Sequence, residues 1–172
     1  AVKKFVAAKP KAVVLGGAYA PCAEFVKQCK KAGYDPIFLS VSFVGPEKFV
    51  ESMGPAAEGE IVTQVVPYGL ASAPANAEFA AAMEKIGAKD AMSHVSFEGY
   101  LVGKLFCEGL KAAGPALDRA KFSAAMSALK DVDLGTGAPV GFDGPNRQAS
   151  GVVFKTIVKD GKLSHFDDWS AV

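Results

Sequence analysis

The feature that most constrains this chain is the alternation of short apolar runs with helical segments in its first third. Residues 12–15 form a continuous apolar run that closes on two glycines, and further strands are predicted at residues 37–41 and 60–66. Short unbroken runs of this kind are typical of strands buried on both faces, as in parallel sheets. Strand–helix–strand–helix–strand with short connections predicts a doubly wound α/β fold with parallel strands.

The intervening helices have start and stop signals of their own. Pro21 is predicted to open the first, whose apolar residues recur at i, i+3, i+4 and i+7. Gly33 is predicted to end it in the left-handed conformation that glycine adopts most easily. A second helix is predicted from Pro46 to Met53, and residues 2–9 read as the end of an earlier helix.

The second half of the chain has a different character. Residues 68–75 are rich in Gly, Ala, Ser and Pro, and three helices follow, the second starting near Ser96 and the third capped by Asp118. A last strand pair is predicted around the Asp160-Gly161 turn. The first part begins within a helix and has only three strands, while the later helices have little sheet to cover. The sequence therefore predicts the C-terminal portion of a longer protein.

Composition and charge exclude several classes of function. The chain has 172 residues, 19 basic and 18 acidic, with a net charge of +1, so nothing in it favours nucleic acid or an anionic membrane as a partner. No apolar run approaches the roughly 20 residues of a membrane span, which predicts a soluble protein. Of the three cysteines, Cys22 and Cys29 share an apolar helix face with about 10 Å between them, too far for a disulfide, and are predicted to be buried thiols.

No set of residues in the sequence points to catalysis. His94 and His165 lack metal-ligand spacing to any Cys, Asp or Glu, and no nucleophile elbow, zinc-protease or phosphate-loop motif occurs. The Gly135-Thr136-Gly137 fragment follows no buried strand and opens no helix, so it is not predicted to be a phosphate loop. The expectation is a protein with no catalytic residue, no metal and no cofactor, and not an enzyme.

The positions that suggest binding follow the first two strands. Ligands of open α/β sheets bind outside the carboxyl ends of the strands, and helix starts there offer free backbone N–H groups to an anion. Glycines permit close approach, a serine offers a hydroxyl, and aromatic rings offer apolar walls. The same residues are equally explained by tight turns and packing, and the spacing alone does not separate these explanations. The predicted ligand-binding residues of this region are Ala18, Tyr19, Ser42, Phe43 and Val44.

Four blocks of the sequence resemble the leucine/isoleucine/valine-binding protein family, the type I periplasmic solute-binding proteins of ABC transporters. Residues 12–49 (AVVLGGAYAPCAEFVKQCKKAGYDPIFLSVSFVGPEKF) resemble its second lobe, and residues 58–69 (EGEIVTQVVPYG) its hinge strand. Residues 94–114 resemble a long first-lobe helix, and residues 133–163 the closing crossover and terminal hairpin. The resemblance covers essentially the whole chain and implies that the first half of a complete binding protein is absent from it.

The resemblance implies a two-lobed type I fold that closes on its ligand about a hinge. It places ligand contacts at Ala18 and Ser42, and a hinge-side contact near Val95. Branched-chain amino-acid binders of the family have a tyrosine at the first position and, at the second, a carboxylate that pairs with the ligand ammonium. An unpaired buried ammonium is costly, so this sequence is expected to prefer a small carboxylate or amide. The implied division is part of the second lobe (1–66), the hinge crossing (67–75), part of the first lobe (76–150), and the crossover strand with terminal hairpin (151–172).

The leading hypothesis is the periplasmic or extracellular solute-binding component of an ABC importer, which binds an amino-acid-like or carboxylate ligand between two lobes. Its expected partners are that small molecule, the membrane permease and the missing N-terminal half, with no nucleic acid. The alternative is the sensing domain of a signalling receptor, since the same fold serves both. A small α/β enzyme is disfavoured because no nucleophile, base or metal set converges.

Overall fold

A computed structural model describes residues 1–171 as two compact units. The first unit contains Ala1–Val65 together with the chain from Val153 onward, and the second unit contains Val66–Val152. The assignment of these units to two lobes of a larger protein stays a prediction. No helix among the described residues is both long enough and apolar enough to cross a membrane.

The first unit is built on one five-stranded sheet with the order β1-β2-β3-β4-β5. The first three strands are parallel, as predicted, and the last two form an antiparallel hairpin. Asp160 and Gly161 turn that hairpin with φ of 51° and 70°, which suits the right-handed twist of the strands. The strands are β1 (Ala12–Leu15), β2 (Ile37–Val41), β3 (Ile61–Gln64), β4 (Phe154–Lys159) and β5 (Lys162–His165).

Three helices belong to the first unit: α1 (Val2–Ala8), α2 (Tyr19–Lys31) and α3 (Pro46–Met53). The predicted start of α2 at Pro21 is wrong, because the helix begins two residues earlier. Proline fits there because the N–H groups of the first turn have no intrahelical partner. The end is as predicted, with Gly33 at φ 72°.

The core of the first unit lies between one face of the sheet and helices α2 and α3. Val13, Phe38 and Val62 point into it from adjacent strands. Cys22 and Cys29 are buried there as free thiols, as predicted, and burial raises the pKa of both. They are therefore packing residues of α2.

The second unit is helical, with α4 (Ala75–Lys85), α5 (His94–Ala113) and α6 (Arg119–Ala128). Helix α5 starts earlier than predicted, because Ser93 and Ser96 form a reciprocal capping box. The predicted cap of α6 is confirmed: Asp118 accepts a hydrogen bond from the Lys121 backbone N–H at 2.8 Å. The core of this unit contains Phe79, Phe97, Leu101, Leu134 and Val140.

Candidate ligand-binding site

The carboxyl ends of β1 and β2 meet at one edge of the first unit's sheet. The two strands are parallel neighbours, and Leu15 pairs with Ser40 one residue before β2 ends. The chain leaves β1 through two glycines into the start of α2, and leaves β2 directly into a 3₁₀ turn, Ser42–Val44. This edge is where open α/β sheets bind ligands.

The start of α2 presents open backbone to this edge. Ala18 is the N-cap residue with extended backbone, φ −72° and ψ 160°, and no side chain caps the helix. Its carbonyl accepts the first helical hydrogen bond from the Cys22 N–H. Because Pro21 has no N–H, the Tyr19 and Ala20 N–H groups are the ones that the first turn leaves available to an anion, which the helix dipole also favours.

The turn after β2 is held by backbone geometry. The Gly45 N–H donates to the Ser42 carbonyl at 3.1 Å, and Gly45 adopts φ 75°, which an L-residue with a side chain adopts only with strain. Pro46 then starts α3. This turn leaves Ser42 half-buried and the Phe43 ring 77% exposed.

The five predicted site residues of this region divide into two groups. Ala18, Tyr19, Ser42 and Phe43 are at least partly exposed at the carboxyl edge, and an exposed aromatic ring gains free energy by covering an apolar ligand. Val44 differs, because its side chain is 1% exposed and packs in the core of the first unit, and its part in a ligand site stays a prediction. A turn of three residues cannot direct all its side chains outward.

Val95, the sixth predicted residue, belongs to the second unit. It is the second residue of α5 and its side chain is exposed. Its participation in a ligand site stays a prediction.

Sequence reasoning missed a buried polar group at the end of β3. Gln64 is fully buried; its Nε2 donates to Thr156 Oγ1 at 3.1 Å, and that hydroxyl donates to the Val62 carbonyl at 2.8 Å. This network fixes the amide orientation, because the Val62 carbonyl can only accept. Gln64 Oε1 then has no hydrogen-bond partner among the described residues. The sequence does contain a signal for this burial. Side chains alternate between the two faces of a strand, which places Gln64 on the same face as Val62.

A second missed group, Glu60, lies just before β3, at the amino end of the strand. It is 2% exposed, and Ser40 Oγ donates to its Oε1 at 3.0 Å. Burial raises its pKa to about 7, and the Ser40 hydrogen bond and the charge of Lys30 lower it only in part. The Ser40 hydroxyl is thereby directed into the core and not toward the carboxyl edge.

The described residues contain no cluster of three or more His, Cys, Asp or Glu side chains that could hold a metal ion. His94 is buried in the second unit with its ring 5.1 Å from that of Tyr68. His94 is the first residue of α5.

Residues 1–162 match the family model described as periplasmic binding protein. The parallel strands of the sheet, with a helix starting after the carboxyl end of β1, fit this family match. The chain belongs to the periplasmic binding protein family.

Solved structures of this family superpose on nearly the whole chain. A possible leucine/isoleucine/valine-binding protein from Rhodopirellula baltica SH 1 is 33% identical with a TM-score of 0.86, over 92% of this chain and 43% of that one. A substrate-binding periplasmic protein from Ralstonia solanacearum is 30% identical with a TM-score of 0.87, over 96% and 48%. A branched-chain amino acid ABC transporter protein from Thermus thermophilus, solved with bound valine, shares the fold at 18% identity and a TM-score of 0.82, over 97% and 47%.

The chain therefore has the type I periplasmic-binding-protein fold and spans less than half the length of these structures. A search of curated proteins found no match.

Proposed function

We propose that this chain is part of the extracytoplasmic solute-binding component of an ABC importer, and that it binds a small molecule without converting it chemically. The observation that carries the proposal is the carboxyl edge of β1 and β2, where an uncapped helix start lies beside the exposed rings of Tyr19 and Phe43. Family membership supports a binding role. The names of the R. baltica and T. thermophilus proteins support transport of amino-acid-like ligands.

The proposed ligand is a small carboxylate with a branched or aromatic body. None of the predicted contacts is charged, so this chain offers a ligand ammonium no counter-ion at these positions. A buried ammonium without a partner is strongly disfavoured. A carboxylate, in contrast, is stabilised by the N–H groups and the dipole at the start of α2, while Phe43 provides apolar contact.

The complete protein is proposed to act in the periplasm or outside the cell, with the half that this chain does not cover and with a membrane permease. These partners follow from the length of the solved relatives and from the transporter names of two structures with this fold.

A thermal-shift panel on the complete protein tests the ligand class, with leucine, its keto acid 4-methyl-2-oxopentanoate, and benzoate as probes. A ligand at about 100 times its dissociation constant stabilises the folded protein by about 2.7 kcal/mol. We expect the carboxylates to raise Tm and leucine to leave it unchanged. A shift with leucine alone contradicts the ligand class, and no shift with a wider panel of solutes contradicts the binding role. Binding without permease-dependent uptake by cells would assign the protein to sensing instead.

A further inference from the structure

The first unit contains a cavity of about 260 Å³, which we call the Glu60 cavity. Its polar wall contains Lys30, Asp35 and Glu60, and its apolar wall contains Phe38 and Ile157. None of its lining residues is one of the predicted ligand contacts, so it is a different site from the candidate at the carboxyl edge. Its volume is slightly below that of pockets for drug-sized ligands, so it suits a molecule of a few non-hydrogen atoms.

The carboxyl group of Glu60 lines this cavity and has an acceptor without a donor. The side chain is 2% exposed, and the Ser40 hydroxyl donates to Oε1 at 3.0 Å. Among the described residues, no group donates to the other oxygen, Oε2. An ionised carboxylate that is buried with one neutral partner is costly, so a positively charged donor at Oε2 would stabilise the folded protein.

The ammonium of Lys30 does not provide that donor. Its Nζ lies 3.2 Å from Asp35 Oδ1 and donates to the Glu58 carbonyl at 3.3 Å, and it forms no ion pair with Glu60. The charge of Lys30 does lower the pKa of Glu60, but burial has the larger effect and raises that pKa to about 7. Lys30 therefore leaves the charge of an ionised Glu60 only partly compensated.

The balance of charge in the Glu60 cavity favours a cation. Three carboxyl groups, those of Asp35, Glu58 and Glu60, line the cavity together with the one ammonium of Lys30. A further titratable group close to Glu60, the Cys22 thiol, is neutral because burial raises its pKa. The apolar wall gives the hydrocarbon part of an organic cation a surface to pack on.

We propose that the Glu60 cavity binds a small primary ammonium ion with a short hydrocarbon chain. The ammonium donates to Glu60 Oε2, and the chain packs against Phe38 and Ile157. A quaternary ammonium has the same charge but no N–H, so it does not fit this site. The inference does not rest on the proposed solute-binding function.

Methyl NMR of the complete protein at pH 8 tests the proposal, with n-propylammonium chloride as the probe. Tetramethylammonium chloride at the same concentration is the control for charge and ionic strength. We expect n-propylammonium to shift the Ile157 methyl resonances saturably and tetramethylammonium to leave them unchanged. At pH 5 we expect binding at least about tenfold weaker, because protonated Glu60 carries no charge. No saturable shift, equal shifts with both salts, or equal affinity at the two pH values overturns the proposal.

Two substitutions in the complete protein test the contacts in opposite directions. Glu60→Gln removes the charge and nearly keeps the shape of the side chain, so we expect it to weaken n-propylammonium binding at least about tenfold. Glu24→Gln, on the exposed surface of α2, is the matched control and should bind like the unsubstituted protein. Lys30→Met removes the competing positive charge, so we expect binding to tighten at least about threefold, which damage to the cavity would not produce.

Unchanged affinity in Glu60→Gln overturns the proposal, and so does unchanged or weaker affinity in Lys30→Met. The panel of carboxylates and leucine tests the carboxyl edge, which shares no predicted contact with the Glu60 cavity. Failure of either test therefore leaves the other unaffected.

Discussion

At the scale of single residues, Glu60 is a carboxyl group placed where its charge is costly. Its side chain is almost fully buried and accepts a hydrogen bond from the Ser40 hydroxyl. Burial raises its pKa from 4.5 to about 7, so the folded state binds the proton more tightly than the unfolded state. Stability is then highest below the unfolded pKa and falls as pH rises from about 4.5 to about 7.

The raised pKa of Glu60 corresponds to a decrease of about 3 kcal/mol in the free energy of unfolding across that pH range. We expect Glu60→Gln to flatten the pH dependence and to raise the free energy of unfolding at pH 8, because glutamine is neutral and still accepts from Ser40. Urea unfolding between pH 4 and 8 measures this, with the exposed Glu24→Gln as control. If the free energy of unfolding of Glu60→Gln keeps the same dependence on pH, another group causes that dependence.

At the scale of elements, helices α5 and α6 meet at Gly109. A Cβ added there would lie 2.1 Å from Met126 Sδ and 3.1 Å from the Phe122 ring. The nearest approach of α6 to α5 therefore requires a residue without a side chain, which explains a glycine in the middle of a long helix at a cost in helix propensity.

Gly103, on the same helix, is the matched comparison because a Cβ there meets nothing within 4 Å. We expect Gly103→Ala to stabilise the protein by about 0.5–1 kcal/mol through helix propensity. We expect Gly109→Ala to destabilise it by about 1–2 kcal/mol, since the Met126 and Phe122 side chains must shift. Denaturant midpoints at constant m-value measure both. Equal effects of the two substitutions would contradict the close packing of α5 on α6.

At the scale of the whole molecule, each unit leaves an apolar row exposed. In the first unit this row contains Val14, Ile37 and Val41 on one face of the sheet, and in the second it contains Val95, Val102 and Phe106 along α5. The solved relatives at 30% identity or more are over twice as long as the part of them that this chain matches. Ligand specificity is therefore a property to be measured on the complete molecule.

Ser42→Glu in the complete protein tests the proposed preference for carboxylate ligands. A carboxylate at this position can pair with a ligand ammonium, so we expect the variant to lose affinity for carboxylates at least about tenfold and to gain a thermal shift with leucine. Ser52→Glu, an exposed serine near the end of α3, introduces the same charge away from the site. If both variants keep the original ligand preference, Ser42 does not set the ligand class.

Most of the local structure follows from the amino-acid sequence alone. The bounds of β1, β2 and α3 are as predicted, because short apolar runs between glycine and proline leave the backbone few alternatives. The starts of α2 and α5 were misplaced because helix starts depend on a few capping contacts. The carboxyl edge with Ala18 and Ser42 was predictable, since parallel strands bring their ends to one edge.

Which side of each strand is covered depends on the tertiary structure. The exposure of each side chain depends on which distant segment packs above it. This holds for the buried side chains of Ser40, Val44, Glu60 and Gln64 and for the exposed side chain of Val14. Phe166, more than 100 residues away along the chain, packs on Ile61 and buries it, while Val14, aligned with Ile61 through Leu39 across the sheet, stays exposed. Burial is a non-local quantity, so a pattern of neighbouring residues predicts that a strand forms but not what covers it.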